Sequence, residues 1–311
     1  KSSAASDVYK RQDYHIWQKK WWFAWVIYGG VIGLLLLTFA IGAASHGSQR
    51  WISIGPFSLQ PSELAKIGII LFLAAYISSK SREMRQWKKM VIPFLFAIPI
   101  IVIVGIENLS TCIILLAISF IMIFVATPLL VPFVVIGLIG VAGAGGLLLT
   151  QGYRMERITV WLDPAASEKG HQTIQGLYAI GSGGLFGKGL GQSMQKLGFL
   201  PEANNDMIFS VICEELGLFG ALCVLALFFA LIWRFMVIAV NAPDLYGSMI
   251  VVGVIAHIGI QVFINIAVAT NTIPNTGIPL PFISYGGSSL VFMLLEMGLV
   301  LSVSRYINVK K

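Results

Sequence analysis

Charge is scarce in this chain. Of its 311 residues only 11% are Asp, Glu, Lys or Arg, against roughly 25% in soluble domains. With 57% hydrophobic residues, this excludes an ordinary soluble globule, since no single core of this size could hide so much apolar sequence. A mean hydropathy of +0.84 makes the bilayer the natural solvent. Cysteine is also scarce. Cys112, Cys213 and Cys223 sit inside apolar runs with no CxxC spacing, so they read as small hydrophobes and exclude a disulfide framework. The four histidines are scattered, which leaves no zinc spacing and no Ser-His-Asp set. The net charge of +7 does not point to nucleic acid, because most of it flanks apolar segments as orientation signals do.

What the chain has in quantity is long apolar runs, at about 22–44, 63–79, 91–106, 110–127, 129–150, 207–236, 247–270 and 287–304. About 20 residues cross the hydrocarbon, so these predict an all-α, polytopic membrane protein of about eight transmembrane helices. The 91–127 stretch is too long for one crossing, and its break is expected at Glu107-Asn108, where polar side chains interrupt it. Pro128 marks the next turn. Lys and Arg collect before the first run, after the second and at the tail. With eight spans these segments share one side, and the positive-inside rule makes it cytoplasmic. The loops 45–62, 151–206 and 271–286 are then external. Residues 1–12 are polar and unlike the apolar sequence beyond them. They are set apart as foreign to the fold, leaving 13–311 as one transmembrane domain.

The external loops hold the unusual residues. Arg50-Trp51 puts a cation beside an aromatic at interface depth, as a simple anchor would. Glu63 and Lys66 share a helix face; they form a structural ion pair or line a polar cavity. The loop 151–206 carries Arg154, Glu156, Arg157, Asp163, His171, Gln172, Lys188, Lys196, Glu202 and Asp206, with a short helix expected over Thr173–Ile180. Its run GSGGLFGKGLGQ has six glycines. Such a run is either a flexible or re-entrant turn or a cradle of backbone N–H groups for phosphate; it is neither a P-loop nor a Rossmann fingerprint. Asp206 ends a polar stretch just before a helix that enters the bilayer. It can cap that helix or serve as a general base at the water–lipid boundary. Glu214 and Glu215 need polar partners in so apolar a helix. His257 and Glu296 read as lone interior residues. The prolines and glycines of 271–286 forbid a continuous helix there.

These loops resemble the SEDS family (FtsW, RodA, SpoVE). The resemblance rests on three blocks: Arg50-Trp51-Ile52 through Gln60-Pro61-Ser62-Glu63-Leu64-Ala65-Lys66; Gln172 through AIGSGGLFGKGLGQSMQKLGFLPE to Asp206 and Glu214-Glu215-Leu216-Gly217; and Gly277 through PLPFISYGGSS. Glu107 to Thr111 and Asn271 to Thr276 look most like division-type FtsW proteins of Gram-positive bacteria. The resemblance implies a fold of ten helices, of which this sequence would lack the first two. It implies a peptidoglycan glycosyltransferase that extends glycan strands outside the cytoplasmic membrane during cell division, from lipid II, the disaccharide-pentapeptide on undecaprenyl pyrophosphate. The implied partners are a class B penicillin-binding transpeptidase and other division proteins. The family's essential aspartate falls on Asp206. Substrate contacts are expected from Arg50, Glu63 and Lys66, from Arg157, Gln172, Lys196 and Glu202, and from Ser284 and Gly286. Arg157, Lys196 or Lys66 would offset pyrophosphate charge, alone or with a divalent cation such as Mg or Mn. The alternatives are a lipid II flippase, with Glu63, Lys66, Glu214, Glu215 and Glu296 as a polar path, and a non-catalytic scaffold that recruits a transpeptidase.

Overall fold

The structure, a computed structural model, describes residues 21–41, 43–45, 48–54, 57–127, 133–135, 137, 138, 143, 146, 152–167 and 170–307. Among them the chain is helical: α1 (Trp21–Ile41), α2 (Pro61–Ser79), α3 (Trp87–Glu107), α4 (Leu109–Ala126), α5 (Gly152–Leu162), α6 (His171–Gly183), α7 (Ile208–Asn241), α8 (Leu245–Ala269) and α9 (Gly287–Arg305). The stretch after α1 is not plain loop. It forms an antiparallel ribbon of β1 (Ala43–Ser45), β2 (Ser48–Ile54) and β3 (Phe57–Leu59), with Ala44 opposite Gln49 and Ile52 opposite Leu59. Helices α2, α3, α4, α7, α8 and α9 are long and apolar enough to cross a membrane, and α1 adds the shorter apolar stretch Trp22–Thr38. These match seven of the eight predicted spans. The eighth, 129–150, lies for the most part outside the described residues, as do Pro128 and residues 1–12.

The chain forms two compact units. One comprises 1–129, 233–257 and 288–311, the other 130–232 and 258–287.

In the first unit α2 is the central helix, buried almost from end to end. It starts with Pro61 in its first turn, where a missing N–H costs nothing. Its outer neighbours α3 and α9 expose Leu95, Ile98 and Val102, and Leu290, Leu294 and Leu301, as lipid-facing helices do. Gly253 lets the helices close up, for a methyl there would press into Ile70 and Met122; small residues serve such crossings in membranes. The predicted break at Glu107-Asn108 is present. Asn108 is extended (φ −140°, ψ 90°), ends α3, and caps α4 by accepting from the Thr111 amide at 3.2 Å.

In the second unit the notable feature is the break in α7. Its 34 residues would run about 51 Å at 1.5 Å each, more than the roughly 30 Å of hydrocarbon. Gly217 interrupts them at φ 66°, ψ −166°, a region open essentially to glycine alone. The glycine-rich turn 184–189 fills the gap. Leu218 and Phe219 amides donate to the carbonyls of Gly184 and Leu185 at 2.9 and 3.1 Å, while the Lys188 and Gly189 amides donate to those of Glu214 and Glu215 at 3.0 and 2.9 Å. The orphan groups of both helix ends thus find backbone partners. A methyl on Gly217 would overlap the backbone of Leu185 and Gly187.

Candidate active site

Asp206 sits in the turn 201–207 that leads into α7, and it is buried to 7% exposure. Glu202 starts this turn in a left-handed conformation (φ 54°), and its carbonyl takes the Asn205 and Met207 amides at 2.9 and 3.4 Å. Its carboxylate accepts from the Asn205 side chain. The segment 271–286 is stitched to the turn. Ser284 Oγ donates to the Asn205 carbonyl at 2.5 Å and accepts from the Leu280 amide at 2.7 Å, and the Tyr285 amide donates to the Asn204 carbonyl at 2.8 Å. Asn265, on α8, clamps the two from below: its Nδ2 donates to the carbonyls of Asp206 and Ile278, both at 2.8 Å.

The carboxylate itself is sparsely served. Among the described residues its one side-chain partner is Gln172, whose Nε2 donates to Oδ1 at 3.4 Å. The other oxygen, Oδ2, faces Gly277, where an added Cβ would lie 3.9 Å away. The described first-turn amides of α7 do not donate to the carboxylate, so capping is not its role here. Burial pushes the carboxyl up to about 6, and the Glu202 charge adds to the rise; the residue's own backbone amide, the Gln172 hydrogen bond and the Arg157 charge oppose it without cancelling it. A carboxyl in that range is a proton acceptor matched to near-neutral pH.

Arg157 lies exposed on α5, its guanidinium donating to the Asn275 carbonyl at 3.3 Å. Lys196 is held elsewhere, bonded to Glu215 at 2.5 Å. The glycine-rich run does not form an open phosphate cradle either. Its Lys188 and Gly189 amides go to the helix break, and the Gly191 amide donates to Glu215 at 2.9 Å. Glu214, fully buried, takes Lys188 Nζ at 2.7 Å, Ser193 Oγ at 2.5 Å and the amides of Met194 and Gln195 at 3.3 Å. The paired acids are therefore braces for the loop 184–197. Gly286 is half-buried just before α9. The Arg50 backbone lies in β2, and its side chain is outside the described residues.

The first unit holds a separate buried set. Lys66 and Glu63 pair at 2.8 Å with 2% and 8% of their side chains exposed, and Ser289 Oγ donates to Glu63 Oε2 at 3.3 Å. His257 and Glu296, lone residues by sequence, are partners, with Nδ1 2.9 Å from both carboxylate oxygens. Sequence reasoning alone gives Asn265, Asn275 and Ser289 no site role. Asn265 carries a signal nonetheless, since an amide in an apolar spanning helix needs a partner. No group of three or more His, Cys, Asp or Glu that could hold a metal occurs among the described residues.

Fold and site together define a polytopic membrane protein with, among the described residues, an under-satisfied carboxylate at the mouth of a broken helix. The chain belongs to the FtsW/RodA/SpoVE family, described as cell cycle proteins, whose model matches residues 6–309. Stage V sporulation protein E of Bacillus subtilis is 47% identical over 279 residues, 88% of this chain and 76% of that protein. A probable peptidoglycan glycosyltransferase FtsW of Geobacter sp. (strain M18) is 38% identical over 298 residues, 94% of this chain and 80% of its own. Two solved structures are similar as well. One, from work on the structural coordination of polymerization and crosslinking by a peptidoglycan synthase complex, has a TM-score of 0.76 and 28% identity, covering 93% of this chain and 83% of the other. The rod shape determining protein RodA of Thermus thermophilus has a TM-score of 0.66 and 29% identity, covering 92% and 79%.

Proposed function

We propose that this chain is a peptidoglycan glycosyltransferase that polymerises lipid II during cell division, with Asp206 as the general base at the outer face of the cytoplasmic membrane. The observation that carries the reading is the state of Asp206, buried, held near a pKa of about 6 and served, among the described residues, by a single long side-chain hydrogen bond. In the reaction Asp206 takes the proton of the acceptor sugar's hydroxyl. The freed oxygen attacks the donor's anomeric carbon, the bond from that carbon to the pyrophosphate oxygen breaks, and the electron pair leaves with undecaprenyl pyrophosphate. Displacement from the opposite face inverts the anomeric centre. General-base assistance of this kind contributes about 10²–10⁴-fold.

Arg157 is the favoured cation for the leaving pyrophosphate. It is exposed and its charge already reaches Asp206. A divalent cation brought in on the pyrophosphate needs only one or two protein carboxylates, and proton transfer to Asp206 does not require it. The outer-face placement rests on the Lys and Arg bias of the short loops. A class B penicillin-binding transpeptidase is the proposed partner, supported by the likeness to a structure from a peptidoglycan synthase complex. The test is polymer synthesis from lipid II by the purified full-length protein in detergent. Glycan strands are expected; their absence, with or without the transpeptidase, contradicts an enzyme and returns the flippase and scaffold readings.

A further inference from the structure

Gln172 can present either end of its amide to Asp206, and the two ends do opposite things. The N–H end stabilises the carboxylate; the carbonyl end repels it. At ordinary definition the two are told apart only through the surrounding hydrogen bonds. Here those bonds run in one direction from a group that cannot reverse. The Gly277 backbone N–H can only donate, and it donates to Asn275 Oδ1 at 2.9 Å. That leaves the Asn275 amide nitrogen as the donor, which reaches Gln172 Oε1 at 3.0 Å. With its oxygen so occupied, Gln172 turns its N–H₂ toward Asp206 Oδ1 at 3.4 Å. Asn275 lies 103 residues from Gln172 in sequence, so no local rule joins them.

We propose that Asn275 is a positioning residue for the base: with Gly277 it fixes the polarity of Gln172, so that Asp206 Oδ1 receives a donor and Oδ2 is left facing the gap over Gly277. The proposal rests on the reading of Asp206 as the base. Among the described residues the other titratable groups around the site are few. Glu202 stands in the same turn, and Arg157 comes from α5. His171 precedes Gln172 and is tied to the Phe199 carbonyl at 3.0 Å. Tyr285 is the one titratable residue of 271–286, and 258–269 contributes none.

Asn275→Asp reverses the chain of bonds. The new carboxylate can still accept from Gly277 but can no longer donate, so it draws the Gln172 N–H₂ to itself and turns the Gln172 oxygen toward Asp206. The added charge acts in the same direction, and Gln172→Met separates the two effects, because methionine has no polarity to reverse. The measurement is the pH dependence of kcat/KM for lipid II polymerisation by the purified protein with its transpeptidase, for wild type, each single variant and the double variant. The wild-type rate should rise with a midpoint near pH 6. Asn275→Asp should move the midpoint up by about one unit or more, a tenfold loss well below it, with recovery at higher pH. In the Gln172→Met background the same substitution should move it distinctly less. An equal move in both backgrounds, or none in either, overturns the proposal. Asn275→Leu, which adds no charge, should give a smaller upward move and serves if the acidic variant does not fold; an unmoved midpoint there also overturns it. A dead Asp206→Asn beside unmoved midpoints removes the relay alone, whereas an active Asp206→Asn removes the base reading beneath it.

Discussion

Glu214 and Asp206 are both buried carboxylates of one helix and its leading turn, and the chain treats them in opposite ways. Glu214 is fully enclosed and takes a lysine, a serine hydroxyl and two backbone amides. Among the described residues Asp206 takes one long side-chain amide bond, and it has a like charge, Glu202, for company. The first arrangement satisfies an anion so completely that it becomes architecture, tying the loop 184–197 to the break in α7. The second leaves an anion hungry for a proton. The Glu63–Lys66 pair of the other unit belongs with Glu214, since each ion there has its counter-ion at 2.8 Å. The difference separates charges that hold the fold from the charge we propose as the base, since burying an ion without a full set of partners is costly.

The sharpest way to break this contrast is to empty the satisfied sites. Glu214→Ala leaves Lys188, Ser193 and two amides without their acceptor. Losing one partner of a buried pair costs about 3–5 kcal/mol, so a large fall in melting temperature is expected, with the loop 184–197 becoming open to proteolysis. An unchanged melt would mean the brace is ornamental. Lys66→Ala should cost a similar or somewhat smaller amount, since among the described residues the Ser289 hydroxyl is then the one hydrogen bond left to the Glu63 side chain. The charge-swapped Glu63→Lys/Lys66→Glu variant should restore much of the melt; failure to restore it would assign Lys66 a role beyond pairing.

The smallest effect has the opposite sign. Asp206 has a folded pKa of about 6 against 3.8 for the free group. A carboxyl whose folded pKa is raised favours the fold below its unfolded pKa and loses that contribution as pH rises through the folded value. The difference of about two units corresponds to about 3 kcal/mol. Asp206→Asn should therefore raise the melting temperature above about pH 7 and leave it unchanged near about pH 3.5. A destabilised variant at about pH 8 would mean the carboxylate is as well served as Glu214.

Local signals made part of this legible in the sequence. The break at Glu107-Asn108 announced itself as polar residues inside an apolar run, and Asn is a preferred helix cap. The spans followed from length, and the place of Asp206 just ahead of an apolar helix followed from the switch between polar and apolar sequence. The break at Gly217 did not announce itself, because glycine is common in membrane helices and the run around it stays apolar. Its cause is distant: the backbone of 184–189 supplies the hydrogen bonds that a continuous helix would have made. The glycine-rich run looked available for phosphate for the same reason, since nothing local reveals that its amides are already engaged. His257 and Glu296 each looked solitary because their partnership spans 39 residues. The Asn275–Gln172–Asp206 chain was hidden likewise, being made of contacts between segments far apart in sequence.

The most direct measurement is lipid II polymerisation by purified Asp206→Asn at about pH 7.5, beside its thermal melt. Asn is close in shape to Asp and can keep the bond from Gln172, but its amide cannot take the acceptor's proton. Loss of polymerisation by at least about a hundredfold, in a protein that melts no lower than wild type, is the expected result. Polymer at a near wild-type rate would contradict the assignment of Asp206 as the base.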